Sequence, residues 1–327
     1  MRRTTRRASL ALGTLVALAT CAHAQVSDKA LDVLRQSILA QGTVSFSGLK
    51  TVVIFQVGEK VRGYQEQVYE KAPGKRRWAV IAPEDQRGRL CIRSGQVQWE
   101  YSPKHARVVR RELPTAEDLC AQRLTDLDRL RTRMRIQHLG TETIASRPAH
   151  IILVSTRQGV PVKKTWIDTE HYVPLKTQQF DCKGLIKSSA YYEAINYQPQ
   201  YADGMFDFTP PAGCTVQNAP PPPRRMKLPA AEKVVGFRAL IPRYLPPGYR
   251  LQTSQVAVTR QGGQVILWLP FSNGVDTFSI FQRPLGAPPP AGRAGRSLSW
   301  HVGDFSFTLV GGLPQDEMKQ VRDSVEF

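Results

Sequence analysis

The sequence has no G-x-S-x-G elbow, no H-E-x-x-H helix, no P-loop and no dinucleotide-binding glycine pattern. Those absences argue against the commonest hydrolase, metalloprotease and nucleotide-dependent chemistries. Its six histidines are scattered singly, so none has the neighbour that a general base or a metal ligand needs. Asp168, in Trp166-Ile-Asp168, stands just before Thr169-Glu170-His171, a place that suits capping a turn better than catalysis. Cysteine is scarce: there are five in 327 residues. No C-x-x-C occurs and no histidine lies near the four cysteines beyond position 24, which argues against zinc. Past the first two dozen residues no window approaches the roughly 18 unbroken apolar residues of a membrane-spanning helix. The expectation is a protein that is not an enzyme, with no catalytic residues, no cofactor and no metal.

What is present at the start of the chain is an export signal. Arg2, Arg3, Arg6 and Arg7 supply positive charge, Leu10 to Ala19 is mostly Leu, Ala and Val, and Ala22-His23-Ala24 offers a small-residue cleavage site. Residues 1–24 are therefore expected to be removed after Ala24. Cys21 follows Thr20, where a lipoprotein box carries a smaller residue, so lipidation is not expected. Cys91, Cys120, Cys182 and Cys214 remain in the exported chain. An even number in an oxidising compartment suggests two disulfides, and Cys91–Cys120 with Cys182–Cys214 close the shortest sequential loops.

Positive charge is in excess, with 45 Lys and Arg against 27 Asp and Glu, a formal +18 of which the first seven residues hold four. A basic surface attracts polyanions such as anionic lipid, lipopolysaccharide phosphates or an acidic protein. Export makes nucleic acid the poorest of these. The densest runs are Lys75-Arg76-Arg77 and Arg107-Val-Val-Arg110-Arg111. Arg76, Arg77, Arg110 and Arg111 are the candidates for meeting an anionic group, set against the plainer reading of charged, solvated strand edges.

Ser27 can cap a helix carrying Leu31, Leu34 and Ile38 at helical spacing, with Gly42 as its stop. Strands are expected over 49–57, 65–69, 78–82, 90–93 and 97–101 and at 108–109, with Ser94-Gly95 as a tight turn. Alternation puts Val97, Trp99 and Tyr101 on one face, expected to be the buried one. Thr115 and Asp118 then open a second helix bearing Leu127, Leu130 and Met134. Strands resume over 136–142, 149–155, 162–168, 175–181 and 186–197, and two helices can cover such a sheet from one side.

Pro220 to Pro223 interrupt the pattern, so residues 219–232 read as a linker between a domain at 25–218 and a smaller one at 233–327. In the second domain strands are expected over 234–241, 249–259, 264–270, 276–282, 298–302 and 305–310. A helix from about Gln315 carries Met318, Val321 and Val325 on one face. Pro284–Ala294 reads as a loop.

Several stretches resemble one known family in order and spacing. In the first half these are Gly140-Thr-Glu-Thr-Ile-Ala-Ser-Arg-Pro-Ala-His-Ile-Ile, Trp166-Ile-Asp-Thr-Glu, Pro174-Leu-Lys, Asp181-Cys-Lys-Gly184 and Met205-Phe-Asp-Phe208. In the second they are Tyr244-Leu-Pro-Pro-Gly-Tyr249, Phe271-Ser-Asn-Gly-Val-Asp-Thr-Phe-Ser-Ile-Phe281 and Val310-Gly-Gly-Leu-Pro314. The family is that of the MucB/RseB regulators, whose first domain resembles the lipoprotein carriers LolA and LolB. The resemblance implies an α+β protein: a LolA-like curved antiparallel half-barrel covered by helices, plus a smaller α+β C-terminal domain. It also implies a periplasmic regulator of envelope-stress sigma-factor signalling. Its partners would be the periplasmic part of a membrane-anchored anti-sigma factor, and lipid or lipopolysaccharide held in a hydrophobic pocket. Phe46, Trp78, Trp99, Tyr101 and Trp166 are the expected pocket residues. The alternative is a lipoprotein or lipid carrier of LolA type, which uses the same pocket without a regulatory partner.

Overall fold

The computed structural model describes residues 27–55, 61–219, 223–261, 263–286 and 296–326. The expected signal peptide with Cys21, the first three prolines of the expected linker, the first glycine of Gly262-Gly263 and most of the expected 284–294 loop lie outside them.

Helix α1 spans Asp28–Thr43 and begins where Ser27 Oγ accepts the Ala30 N–H at 3.4 Å. It runs through Gly42 and ends a residue later. Strands β1 (Phe46–Ile54), β2 (Arg62–Lys71), β3 (Lys75–Ala82), β4 (Leu90–Ser94), β5 (Val97–Ser102) and β6 (Arg107–Glu112) form an antiparallel meander. Helix α2 (Ala116–Arg131) follows, capped by Thr115, whose Oγ1 accepts the Asp118 N–H at 3.0 Å. After it come β7 (Arg135–Ile144), β8 (Arg147–Ser155), β9 (Pro161–Asp168), β10 (Pro174–Phe180) and β11 (Ile186–Asn196). Short β12 (Thr215–Asn218) lies parallel to β6. It escaped the sequence reading because four polar-flanked residues carry no period.

These strands make one twelve-stranded sheet, ordered β12-β6-β5-β4-β3-β2-β1-β11-β10-β9-β8-β7. β11 returns to pair with β1, so the two meanders join at their first and last strands. Register shifts at Leu49/Lys50, Gln65/Glu66, Pro174/Lys176 and His138/Thr141 bend the strands. The expected fold class is borne out: the first module is a LolA-like curved half-barrel whose edge strands β12 and β7 do not pair. α1 and α2 cover one flank of its inner face. Ala30 and Val33 of α1 and Leu127 of α2 pack on Ile136, Ile152 and Ile167 of β7 to β9.

Gly48 of β1 is a position where only hydrogen fits. A Cβ there would stand 2.7 Å from the Ala194 carbonyl oxygen and 2.8 Å from the Tyr192 ring. Gly48→Ala is therefore expected to cost about 1–3 kcal/mol, the usual range for overpacking, read as a lower urea midpoint. An unchanged midpoint would show that β1 and β11 do not approach so closely.

The second module contains β13 (Arg225–Met226), α3 (Leu228–Val235), β14 (Arg250–Leu251), β15 (Val256–Gln261), β16 (Gln264–Ser272), β17 (Thr277–Pro284), β18 (Arg296–Val302), β19 (Phe305–Gly311) and α4 (Gln315–Asp323). The sheet order is β13-β15-β16-β17-β19-β18, with β14 against the far end of β16. The strand expected over 234–241 is instead the end of α3 and an irregular segment. Pro229 sits in the first turn of α3, Ala230 and Ala231 favour helix, and Gly236 at φ 79° terminates it. Residues 225–232, expected in the linker, thus contribute a strand and most of a helix. The core is aromatic: Phe271 and Phe278 stack with centroids 4.8 Å apart, and α4 adds Met318 and Val321.

The two modules share a seam. Lys187 Nζ of β11 lies 2.6 Å from Asp276 Oδ2, and Lys183 pairs with Asp316 at the start of α4. Val275 packs against the helix-covered core of the first module, and Cys182 against the core of the second.

Candidate functional site

Alternation along paired strands decides which side chains can share a pocket. Residues directly opposite each other on neighbouring strands point to the same face. One row runs Glu70, Arg76, Arg93, Gln98. The next row on that face runs Val68, Trp78, Cys91, Glu100. Between them, on the opposite face, lie Arg77, Ile92, Trp99 and Arg110.

The first face opens a cleft of about 360 Å³ between sheet and helices. Ile38 of α1, Leu119 of α2, Phe46 of β1, Leu175 of β10 and Ala190 of β11 give it apolar walls. Lys50, Glu70, Arg76, Arg93, Arg123 and Tyr192 add polar and charged groups to its lining. Lys50 Nζ donates to Glu66 Oε1 at 2.8 Å. Arg76 Nε stands 2.9 Å from Glu70 Oε1, yet it is buried and not aligned for a hydrogen bond. Arg93 is anchored by donating to the carbonyls of Gly95 and Pro114, at 3.0 and 3.1 Å. Arg123 reaches across from α2 and donates to Gln41. Burial pushes the Glu70 carboxyl above its ordinary range, even though Arg76, Arg93, Lys50 and Arg123 all oppose the shift. Burial, followed by repulsion from Arg123, pulls the Arg93 guanidinium down.

The residues expected to form one pocket divide between the two faces. Phe46 and Arg76 line the cleft. Trp78 packs beside Phe46, and Arg111 approaches Glu100 at 3.6 Å on the same face. Trp99 and Tyr101 face the other way, and both rings meet Phe208, at 5.7 and 6.3 Å. Arg77 donates to the Met205 carbonyl at 3.3 Å, while Arg110 lies by Glu112 at 3.0 Å and over the Trp99 ring. Alternation correctly grouped Trp99 with Tyr101, but the face it assigned them to is covered by residues 205–208.

Trp166 is also on the outer face, in a row with Ile151, Lys176 and Tyr191. Its Nε1 donates to Glu142 at 2.6 Å, and Lys164 and Lys176 cover its ring at 4.7 and 4.5 Å. Lys50, Arg93 and Arg123 were missed because each stands alone in the sequence, and only the strand register and α2 bring them together. The runs of consecutive basic residues misled, since neighbours along a strand point to opposite faces.

The four cysteines are unbridged. Cys182 sits at the β10–β11 turn and Cys214 just before β12, seven strand steps away in the sheet. Cys91 is buried in β4, its thiol pushed up to about 12 by burial and then by Glu100, whereas Cys120 faces the cleft from α2. Among the described residues no group of histidine, cysteine and carboxylates could hold a metal.

Asp168 is the capping residue its position suggested. Its Oδ1 accepts the backbone N–H groups of Glu170 and His171, at 2.8 and 2.9 Å, and its Oδ2 accepts from Arg147 and, at 3.1 Å, from Tyr197.

An open curved sheet, half roofed by helices over a cleft and pinned to a second α+β module, makes up a LolA-like α+β architecture. A family model for the MucB/RseB N-terminal domain matches residues 82–202. Among solved structures it is similar to the MucA/MucB complex of Pseudomonas aeruginosa, at 19% identity and TM-score 0.57, covering 91% of this chain and 99% of that one. MucB in complex with MucA(peri) matches at 19% identity and TM-score 0.56, with the same coverage. MucB alone matches at 18% and 0.50, covering 92% and 98%. At these identities the likeness is one of fold, and it spans both modules. No curated protein matches the sequence.

Proposed function

We propose that the chain is a non-catalytic periplasmic regulator of envelope-stress sigma-factor signalling. In this reading residues 1–24 are removed on export. The half-barrel domain, residues 25–218, holds a lipid or lipopolysaccharide. The second module, reached through the proline-rich segment that begins at residue 219, helps bind the periplasmic part of a membrane-anchored anti-sigma factor. The observation that carries the reading is a cleft lined by both apolar and cationic side chains in a module pinned to a second one by Lys187–Asp276. The solved relatives add support, because two of them are complexes of MucB with MucA or MucA(peri). A ligand in the cleft presses on α1, α2 and β11, and β11 carries Lys187 to the seam. Occupancy and partner affinity can therefore be coupled through contacts that differ between two arrangements of the modules.

The test is affinity capture from an envelope extract with the chain beginning at Gln25, followed by identification of bound proteins and lipids. Recovery of a single-span membrane protein, released on addition of lipid, is the expected result. Recovery of lipoproteins alone would replace the regulator with a LolA-type carrier.

A further inference from the structure

A second cavity lies in the seam between the two modules and shares no residue with the cleft. It measures about 150 Å³, below the roughly 300–1,000 Å³ of small-molecule pockets, so it suits a small polar group and not a hydrocarbon chain. The first module contributes Arg133, just before β7, with Thr156 and Arg157 from the β8–β9 turn. The second contributes Arg250 at the start of β14 and Asn273 from the β16–β17 turn. The modules are close here: a Cβ on Gly248 would stand 3.3 Å from Thr156 Cγ2 and 3.6 Å from Asn273 Cβ. The charge of the cavity is one-sided, since three arginines line it and no carboxylate does. Arg157 donates one N–H to the Thr132 carbonyl at 2.6 Å, which leaves the rest of its five-donor fork available. Arg133 and Arg250 have no ion pair and no side-chain hydrogen bond among the described residues. Asn273 is only 6% exposed. Its Oδ1 accepts the N–H groups of Val275 and Asp276, which turns Nδ2 away from them. That nitrogen has no acceptor in the protein and is not sealed from solvent, so it faces the cavity that Asn273 lines. A fixed amide donor with exposed guanidinium forks around it is an arrangement for an oxyanion. A phosphate group matches it better than a carboxylate, because it carries more acceptor oxygens and up to two charges.

We propose that the seam cavity is a site for a small phosphate-class anion that bridges the modules, held by Arg133 and Arg157 on one side and by Arg250 and the Asn273 amide on the other. The site goes beyond the reading of the cleft and does not depend on it. A free phosphate ion and the phosphomonoester end of a larger molecule share this chemistry. The experiment titrates the exported chain by calorimetry with inorganic phosphate, glycerol 1-phosphate and acetate, in a phosphate-free buffer at constant ionic strength. One phosphate is expected to bind per chain, at least about tenfold tighter than acetate, and the tighter of the two phosphates names the source. Arg133→Gln and Arg250→Gln, one from each module, are each expected to weaken phosphate about tenfold, the worth of one charge-assisted hydrogen bond. Both side chains are exposed, so the variants keep the fold. Arg87→Gln removes the same charge from the β3–β4 connection, where Arg87 pairs with Glu84 at 3.1 Å, and is expected to leave phosphate binding unchanged. Hydrogen exchange reads the bridge: phosphate should slow it at residues 156–158 and 272–274 together, and in Arg250→Gln the slowing should be lost on both sides. Acetate binding as tightly as phosphate, no binding of either phosphate, or Arg87→Gln as damaging as Arg250→Gln would overturn the site. Slowing at one of the two segments alone would overturn the bridge.

Discussion

An Asp168→Ala variant is expected to lose about 3 kcal/mol, which for a chain of this size lowers the melting temperature by roughly 9 °C. Asp168 is fully buried and collects four donors: the Arg147 guanidinium, the Tyr197 hydroxyl and the N–H groups of Glu170 and His171. Alanine leaves the guanidinium with Glu170, 2.6 Å away, as its remaining carboxylate and frees the turn that ends β9. Burial by itself pushes the Asp168 carboxyl up, but the Arg147 bond and then the two backbone N–H bonds outweigh it and hold the group below its ordinary value. A depressed folded-state value means that the stabilisation is fully present above the unfolded value, about 3.9, and is lost as pH falls through the folded one. Asp168→Asn, which keeps the shape without the charge, should therefore sit a constant amount below the parent from neutral pH down to about pH 5. Below that the two should converge. Melting curves of the three proteins between pH 3 and 7 check this, and an Asn variant as stable as the parent at pH 7 would show that the charge contributes nothing.

Local signals in the sequence were sufficient for most of the elements. Ser27 and Thr115 mark helix starts because their hydroxyls cap, and Ser94-Gly95 marks a hairpin because its glycine takes positive φ. Such cues act over three or four residues, and a reader of the chain sees them whole. The cleft was only half legible for the opposite reason. Phe46 and Arg76 were found, but the partners of Arg76 come from positions 50, 70, 93 and 123, and neither composition nor spacing joins them. Trp99 and Tyr101 show the limit of alternation, which gives two faces and no sign of which one is open. Here Phe208, about a hundred residues downstream, decides the matter by covering one. The 219–232 linker failed at its C-terminal end because four prolines drew attention from Leu228-Pro-Ala-Ala-Glu-Lys233, a good helix with proline in its first turn.

The motifs that resembled the family in the second half of the chain turn out to build the seam, and this sets up the other large expected effect. In Phe271-Ser-Asn-Gly-Val-Asp276 the Asn273 side chain accepts the N–H groups of Val275 and Asp276, at 3.0 and 2.7 Å, and shapes the turn between β16 and β17. That turn sends Val275 into the core under α1 and α2, and it sets Asp276 between Lys187 of β11 and the hydroxyl of Tyr249, 2.9 Å away. Tyr249 closes the other motif, Tyr244-Leu-Pro-Pro-Gly-Tyr249. Asp276 therefore serves both modules at once, and Asp276→Ala strands an ammonium and a buried hydroxyl together. The cost should be roughly 2–4 kcal/mol, between that of a charged hydrogen bond and that of a broken buried pair, since the Lys187 and Asp276 side chains keep some contact with water. Because the loss falls at the seam, hydrogen exchange should quicken at residues 186–188 and 273–276, while the strands around Phe271 and Phe278 stay protected. Asp276→Asn, which can still accept from Tyr249, should fall between the two. Uniform acceleration across the second module would instead mean that Asp276 holds that module's own fold together, and β11 would then have no ionic link through which a filled cleft could be felt by the second module at this position.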